Sequence, residues 1–389
     1  MNEYDLLVRG DVWDAALGRR PDRWVAVTDG EIECVYENEP GEAATVHDVD
    51  LVTPGLIDMH VHLVWDGSGD PVATLRAESE EELTVRAVEN ATAQLRGGVT
   101  TVRDLGSVAD IAITLAHAIS AGRIDGPRLY ASGRTVIISG GHDPFWGIES
   151  DGPPACRTAV RRLRAAGADL IKVSATGGVY GQAVGEKPGA SELSPEELSA
   201  VVDEAARFDL PVAAHAVGRE GISNAIEAGV DTIEHGNLMS DPSLSLLEER
   251  DIAYAPTLFV YRTIAESDVD VPRYARENAR GVVDTHRSVA SAAIESDVRI
   301  LAGSDAGSPN IPHPSIHREL ADLVRVGADE SAALKAATLT AARELGRPEL
   351  GTVAEGTPAD LVGFDRDPLE DISVTGSPSV VIRDGSVVL

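Results

Sequence analysis

The chain has 389 residues, 43% of them hydrophobic and 25% charged, with a formal net charge of −31. Anionic charge on this scale argues against nucleic-acid phosphates and anionic membrane surfaces as partners. No apolar run approaches the roughly 18 residues of a spanning helix, and two cysteines, Cys34 and Cys156, supply neither a disulfide framework nor a cysteine cluster for a metal. The opening Met1-Asn2-Glu3-Tyr4-Asp5 lacks the basic flank of a signal peptide, so a soluble cytoplasmic protein is expected. Lysine is nearly absent: only Lys172, Lys187 and Lys335 occur. An acidic, lysine-poor surface suits a halophilic protein, because a Debye length of about 3 Å at 1 M salt blunts self-repulsion.

Residues 1–53 hold short apolar stretches, Leu6-Leu7-Val8, Trp24-Val25-Ala26-Val27 and Ile32-Glu33-Cys34-Val35, interrupted by Asp29-Gly30. That pattern predicts hairpins. Pro54-Gly55 then reads as a turn feeding a strand over 56–62. Seven more apolar runs follow, at 99–104, 128–132, 170–175, 212–215, 232–235, 252–256 and 300–305. Helical spacing lies between them, for example over 79–95, 158–166, 195–208 and 221–228. Ser79-Glu80-Glu81-Glu82 has the spacing of a capping box. Ser194-Pro195-Glu196-Glu197 joins an N-cap serine to a proline at N1 and acids in the first turn.

Eight strand–helix units predict an α/β fold with a parallel (β/α)8 TIM barrel over residues 54–348. An open doubly wound sheet is the alternative, but no G-x-G-x-x-G follows the first strand. The tail returns to hairpin patterning, so residues 349–389 are expected to complete, with 1–53, a small β-sandwich domain formed by both termini.

The chemistry concentrates at the carboxyl ends of the expected strands, where barrel enzymes place catalytic groups. His60 and His62, two apart in a strand, share one face. Further ends carry Lys172, His215, His235 and Asp305. Each alone reads equally well as a polar residue near a loop; together they are accounted for by one metal centre. Lys172 stands in the apolar run Leu170-Ile171-Lys172-Val173, where an ammonium is expensive to bury. It can snorkel to the rim. Alternatively, as a desolvated amine, it can react with CO2 to give a carbamate, an anionic ligand able to bridge two cations.

The motifs resemble those of the amidohydrolase superfamily, in its imidazolonepropionase-like and metal-dependent Xaa-Pro or Xaa-Arg dipeptidase branch. The likeness is carried by Pro54-Gly55-Leu56-Ile57-Asp58-Met59-His60-Val61-His62, Gly98-Val99-Thr100-Thr101-Val102-Arg103-Asp104, Ala168-Asp169-Leu170-Ile171-Lys172 and Gly177-Gly178-Val179. It continues through His215-Ala216, Ile233-Glu234-His235-Gly236, Ala302-Gly303-Ser304-Asp305-Ala306 and the tail from Gly351 to Val362. The resemblance implies two divalent ions, zinc being expected. His60, His62 and Asp305 would hold the buried ion, His215 and His235 the more exposed one, and an N6-carboxylated Lys172 would bridge them. A shared hydroxide would attack, with Asp305 taking its proton and passing it to the leaving nitrogen.

His142, in Ser139-Gly140-Gly141-His142-Asp143, occupies a loop position where related dipeptidases carry a substrate-contacting histidine; a loop-structuring role is the alternative. Tyr180 and Arg219 are further candidates for the pocket, the arginine suiting a substrate carboxylate. Val217 departs from the polar aromatic residue that related dipeptidases often place there. His313 and His317 are expected at the surface or in a lid, while His47, His117 and His286 look structural or exposed.

The expected function is hydrolysis of a carbon–nitrogen bond in a small-molecule substrate, a dipeptide or an N-acyl amino acid. A one-metal cyclic amide hydrolase or deaminase of the imidazolonepropionase type is the alternative, and a non-catalytic homologue is a third class. Relatives often assemble, so the reading is compatible with a homo-oligomer.

Overall fold

The computed structural model describes residues 4–181, 186–267 and 270–389. The strands in chain order are β1 (Tyr4–Asp14), β2 (Gly18–Thr28), β3 (Glu31–Tyr36), β4 (Ala43–Pro54), β5 (Leu56–Val61), β6 (Val99–Asp104), β7 (Arg128–Ala131), β8 (Val136–Ile137) and β9 (Ile148–Glu149). There follow β10 (Ile171–Ser174), β11 (Val212–Ala216), β12 (Thr232–His235), β13 (Ala253–Ala255), β14 (Leu361–Phe364), β15 (Val380–Arg383) and β16 (Ser386–Val387).

Both ends of the chain meet in one seven-stranded sheet of order β16-β15-β14-β4-β1-β2-β3. The β2–β3 hairpin turns on Asp29 and Gly30, both at positive φ (52° and 85°), as the Asp-Gly pair predicts. A bulge shifts the register of β1 between Gly10 and Val12, and bulges bend and twist a strand. The edge strand β3 then meets the approach to β14, with Ile32 N–H donating to Thr357 O at 2.9 Å and Gly356 N–H to Ile32 O at 2.8 Å. Val8, Val25, Ile32, Val353, Leu361 and Ile382 fill the enclosed face, all but free of solvent.

The middle of the chain alternates parallel strands with helices. β5-β6-β7 form one ladder and β13-β12-β11-β10-β8-β9 another. The segment 300–305, expected as a regular strand, runs between β13 and β5 without forming one. Its backbone still bonds to both sides: Leu301 N–H to Tyr254 O at 2.8 Å, Met59 N–H to Ala302 O at 2.9 Å and Asp305 N–H to His60 O at 2.7 Å. On the far flank, Asp169 N–H reaches Ala131 O of β7 at 2.9 Å just before β10.

The helices begin where the capping signals lie. Helix Glu80–Arg96 has a complete capping box from Ser79 and Glu82, and Pro195–Ala206 has one from Ser194 and Glu197. Helices Pro153–Ala166 and Arg219–Ala228 both stop at glycines in the left-handed conformation, Gly167 and Gly229. Arg128, on β7, ties this body to the terminal sheet by donating to the buried carboxylate of Asp360 at 2.9 Å.

Candidate metal centre

His60 and His62 leave the end of β5, Lys172 stands in β10, His215 in β11, His235 closes β12, and Asp305 ends the 300–305 segment. All six are buried and line one cavity, together with Trp65, His142, Tyr180 and Tyr261. The imidazoles cluster tightly: ring centroids lie 5.3 Å apart for His60 and His62, 5.0 Å for His60 and His235, and 4.7 Å for His215 and His235. Asp305 Oδ1 lies 3.4 Å from His62 Nε2 and 3.9 Å from His60 Nε2.

Backbone conformation at the strand ends is unusual. His235 (φ 71°), Asp305 (φ 55°), Asp143 (φ 58°) and Thr257 (φ 52°) all occupy the left-handed region, at a cost of about 1–3 kcal/mol each. The turn at His235 matters most. Side chains alternate along a strand, yet Glu234 and His235 both reach the interior, and breaking the alternation at His235 permits this. Glycine supplies the remaining clearance: a Cβ on Gly303 would lie 2.7 Å from that of His60.

Three histidines are oriented through Nδ1. His60 Nδ1 pairs with Glu234 Oε2 at 2.8 Å, His62 Nδ1 with Gly106 O at 3.2 Å, and His235 Nδ1 with Thr257 Oγ1 at 2.7 Å. Each Nε2 is thereby left for the cavity, the arrangement that fixes tautomer and ring plane in metal sites. His215 Nε2 is buried with no hydrogen-bond partner. An orphaned, desolvated imidazole nitrogen in this setting fits a metal ligand. Nitrogen and oxygen ligand atoms of His60, His235 and Asp305 lie within 4.8 Å of one another, close enough to share one ion.

The electrostatics agree with that donor set. Burial holds His215 and His235 neutral by pushing their pKa values well below the usual imidazole range, and the neighbouring cationic groups add to this. His60 falls to about 4, through burial and then the nearby Lys172. Burial would raise Glu234, but Arg103 and His60 outweigh it and hold the carboxyl at about 2. Asp305 is likewise kept ionised, since His60 and His62 overcome its desolvation. Burial depresses the Lys172 amine, opposed by Glu234, Asp143 and Asp305.

His142 comes to the same cavity from the loop after β8, its ring stacked on His215 at 4.1 Å. Its Nδ1 meets Glu186 Oε1 at 2.5 Å and its Nε2 lies 3.3 Å from Asp143 Oδ1. Burial opposes its protonation, but Asp143, Glu186 and Glu192 raise the ring to about 9. The Gly177-Gly178 pair and Gly181 exist in this stretch for a steric reason. A Cβ at Gly178 or Gly181 would come within 2.4 Å or 2.1 Å of the His142 ring.

Arg219 is the correction. It begins helix Arg219–Ala228, exposed to solvent, and lines an outer groove with Met239 and Asp241 instead of this cavity. The loop after β11 is too short to return it: Val217, fully buried, donates its N–H to Thr176 Oγ1 at 2.9 Å and the helix starts two residues later. Tyr180 does line the cavity, its hydroxyl bonded to Asp70 Oδ1 at 2.5 Å. His313 is half-buried, with Nδ1 at 3.0 Å from Gln94 Nε2, and the half-buried His317 abuts Gly376. His286 is buried beside Tyr261, His47 is half-buried and His117 exposed. Arg103 and Glu234 stand in the quoted motifs with no role assigned from the sequence, and Trp65, Trp146 and Tyr261 were not singled out there. Only Arg103 and Glu234 carried a signal, as charges inside apolar runs.

Parallel β/α units bring four imidazoles, a carboxylate and a lysine to one buried cavity, the composition of a site able to hold metal ions. The amidohydrolase family model matches residues 51–388; the chain belongs to that family and is a hydrolase acting on carbon–nitrogen bonds. It is 31% identical over 370 residues to ochratoxinase of Aspergillus niger, covering 87% of this chain and 75% of that protein. The crystal structure of a Xaa-Pro dipeptidase with bound methionine in the active site superposes with a TM-score of 0.90 at 30% identity, covering 98% of this chain and 99% of the other. Imidazolonepropionase of a Bradyrhizobium species is a more distant relative, 26% identical over 81% of this chain and 78% of that protein.

Proposed function

We propose that the chain is a binuclear metal hydrolase that cleaves a carbon–nitrogen bond in a small amide, the class to which Xaa-Pro dipeptides and N-acyl amino acids belong. The observation that carries this is the convergence of His60, His62, Lys172, His215, His235 and Asp305 on one buried cavity. In this reading residues 54–348 close as a (β/α)8 barrel and the two termini form the second domain.

His60, His62 and Asp305 would hold the deeper ion and His215 and His235 the outer one. Zinc suits a donor set of imidazole nitrogens and carboxylate oxygens. Lys172 would bridge as a carbamate: its neutral amine adds to CO2, a nitrogen–carbon bond forms and one proton leaves, so a costly buried cation becomes a paired anion. Bound ions would supply Lewis acidity, polarising a carbonyl and acidifying water.

The protein's own groups do the rest. Asp305, ionised and fixed by a hydrogen bond of 2.8 Å from Ser308 Oγ, accepts a proton from the attacking water and returns it to the leaving nitrogen. His142 faces the cavity beside His215 and orients the substrate. Trp65, Trp146 and Tyr261 pack around the imidazoles and keep bulk water out.

The test is to load the protein with zinc, count ions per chain by mass spectrometry, and follow amine release from a panel of dipeptides, N-acyl amino acids and cyclic amides. Two ions per chain with release from linear amides is the expected result. One tightly held ion with cleavage of cyclic amides would favour the imidazolonepropionase-like alternative, a relative that the identity to the Bradyrhizobium protein brings into view.

A further inference from the structure

We infer that Tyr261 is a catalytic residue: its hydroxyl donates a hydrogen bond to the substrate's carbonyl oxygen, a bond that strengthens as negative charge gathers there. The inference rests on the hydrolase reading and adds a residue to it.

Tyr261 belongs to helix Leu258–Glu266, which walls the cavity with Val260, Tyr261 and Ile264. The start of that helix is anchored twice. The fully buried carboxylate of Glu319, from helix Ile316–Arg325, accepts from Leu258 N–H at 2.9 Å and from Phe259 N–H at 2.8 Å. Such an acceptor satisfies the orphaned N–H groups of a helix N-terminus. Thr257, one residue earlier, pairs its hydroxyl with His235 Nδ1 at 2.7 Å. The ring itself stands between two imidazoles, 5.5 Å from His235 and 5.0 Å from His286, at interplanar angles of 66° and 79°. Edge-on contacts of this kind are the favoured aromatic geometry. A hydroxyl fixed from backbone to ring is a preorganised donor, which needs no rearrangement at the moment of reaction.

The hydroxyl stands on the cavity side of the ring. Burial pushes the phenol well above its ordinary range, and Asp305, Tyr254 and Asp143 add to the rise. Asp305 and Asp143 both line the cavity. Base and donor thus share one small space, as acyl transfer requires. The other two hydroxyls of the described lining are engaged, Tyr180 with Asp70 at 2.5 Å and Ser308 with Asp305 at 2.8 Å. Asn237, fully buried just after β12, has neither amide atom in a full hydrogen bond among the described residues, yet its amide lies near enough to the Tyr261 oxygen to favour the phenolate. An amide N–H given to that oxygen leaves the O–H proton for the substrate.

As the oxygen of water adds to the carbonyl carbon, its proton passes to Asp305 and the carbonyl π pair moves onto oxygen. Tyr261 bonds to that oxygen and keeps its own proton. When the carbonyl re-forms, the carbon–nitrogen bond breaks and Asp305 returns the proton to the leaving nitrogen.

The experiment compares the zinc-loaded wild type with Tyr261→Phe, which deletes one oxygen and keeps the ring between its two imidazoles. On the amide that the wild type cleaves fastest, kcat should fall about 10²-fold, with KM within about threefold and ions per chain unchanged. Calorimetry adds a readout free of turnover. N-methylphosphonyl-L-proline, tetrahedral at phosphorus, should bind the variant about tenfold more weakly, while planar 2-acetylcyclopentanecarboxylate changes by less than about threefold. A kcat within about threefold of wild type overturns the inference, as does a loss confined to KM, a loss of ions, equal weakening of both probes, or no binding of the phosphonyl compound to the wild type. If the wild type cleaves no amide but the phosphonyl compound still binds the variant about tenfold more weakly, the hydrolase reading fails and the donor stands. Should the phenylalanine variant not fold, Asn237→Leu decides: it replaces an unbonded buried amide by an apolar group of similar size, and kcat should fall about tenfold. An unchanged kcat there overturns the inference.

Discussion

Glu234 Oε2 lies 2.8 Å from His60 Nδ1, a hydrogen bond between residues 174 positions apart, and the other oxygen of the same carboxylate accepts from Arg103 Nη2 at 2.7 Å. Arg103 in turn donates to Met59 O at 2.7 Å, one residue from His60. A buried ion pair thus fixes the plane of an imidazole that lines the cavity. Glu234→Gln preserves shape while weakening that acceptor, and partners of this kind typically matter 10–100-fold in metal affinity. Zinc competition against a chromophoric chelator should register a loss of that order with circular dichroism unchanged; an unaltered zinc affinity would remove Glu234 from the site.

On the proposed two-ion reading, Lys172→Ala should lower the metal content to one ion or none and abolish turnover. Added short carboxylates should restore part of both, because they can occupy the bridging position. Metal analysis and rates in the presence of formate or acetate check this, and full metal content with normal turnover would end the bridging role.

Gly178→Ala should displace the His142 ring, which a Cβ would otherwise meet at 2.4 Å. The ring is tied to Glu186 and Asp143, so it cannot yield freely. We expect kcat/KM to fall by about tenfold or more, since small misplacements are costly in positioned catalysis, while zinc content stays the same. Unchanged kinetics would mean that His142 does not touch the reaction.

Burial pushes the Cys156 thiol up to about 11, and its Sγ–H donates to Ser150 O at 3.3 Å. An acid with a raised pKa stays protonated at neutral pH, and the thiol is not the nucleophile. A disulfide reagent at pH 8 should therefore titrate only the half-buried Cys34 in the native protein and both cysteines in denaturant. Two fast native equivalents would contradict the packing around Cys156.

With a net charge of −31, the folded chain is loaded with self-repulsion that salt relieves. Tm should rise steadily between about 0.1 and 2 M KCl. A flat or falling profile would count against adaptation to concentrated salt.

Much of the fold, and the set of side chains that gather at the cavity, was legible locally. His60 and His62 share a face because strand side chains alternate with period two, and the helices start at Ser79 and Ser194 because capping boxes satisfy orphaned N–H groups within four residues. Lys172 announced itself as a lone ammonium in an apolar strand. These are properties of short stretches, fixed by backbone geometry and desolvation, and a sequence displays them directly. The tertiary structure decided the rest, because it depends on which distant segments pack together. It alone joins Glu234 to His60 and Arg103, turns His235 and Asp305 inward through left-handed backbone, brings Trp65 and Tyr261 to the same cavity, and leaves Arg219 on an outer helix. It also pairs strands from both termini in one hydrogen-bonded sheet and places a bulge in β1 that hydrophobic patterning shows only as alternation.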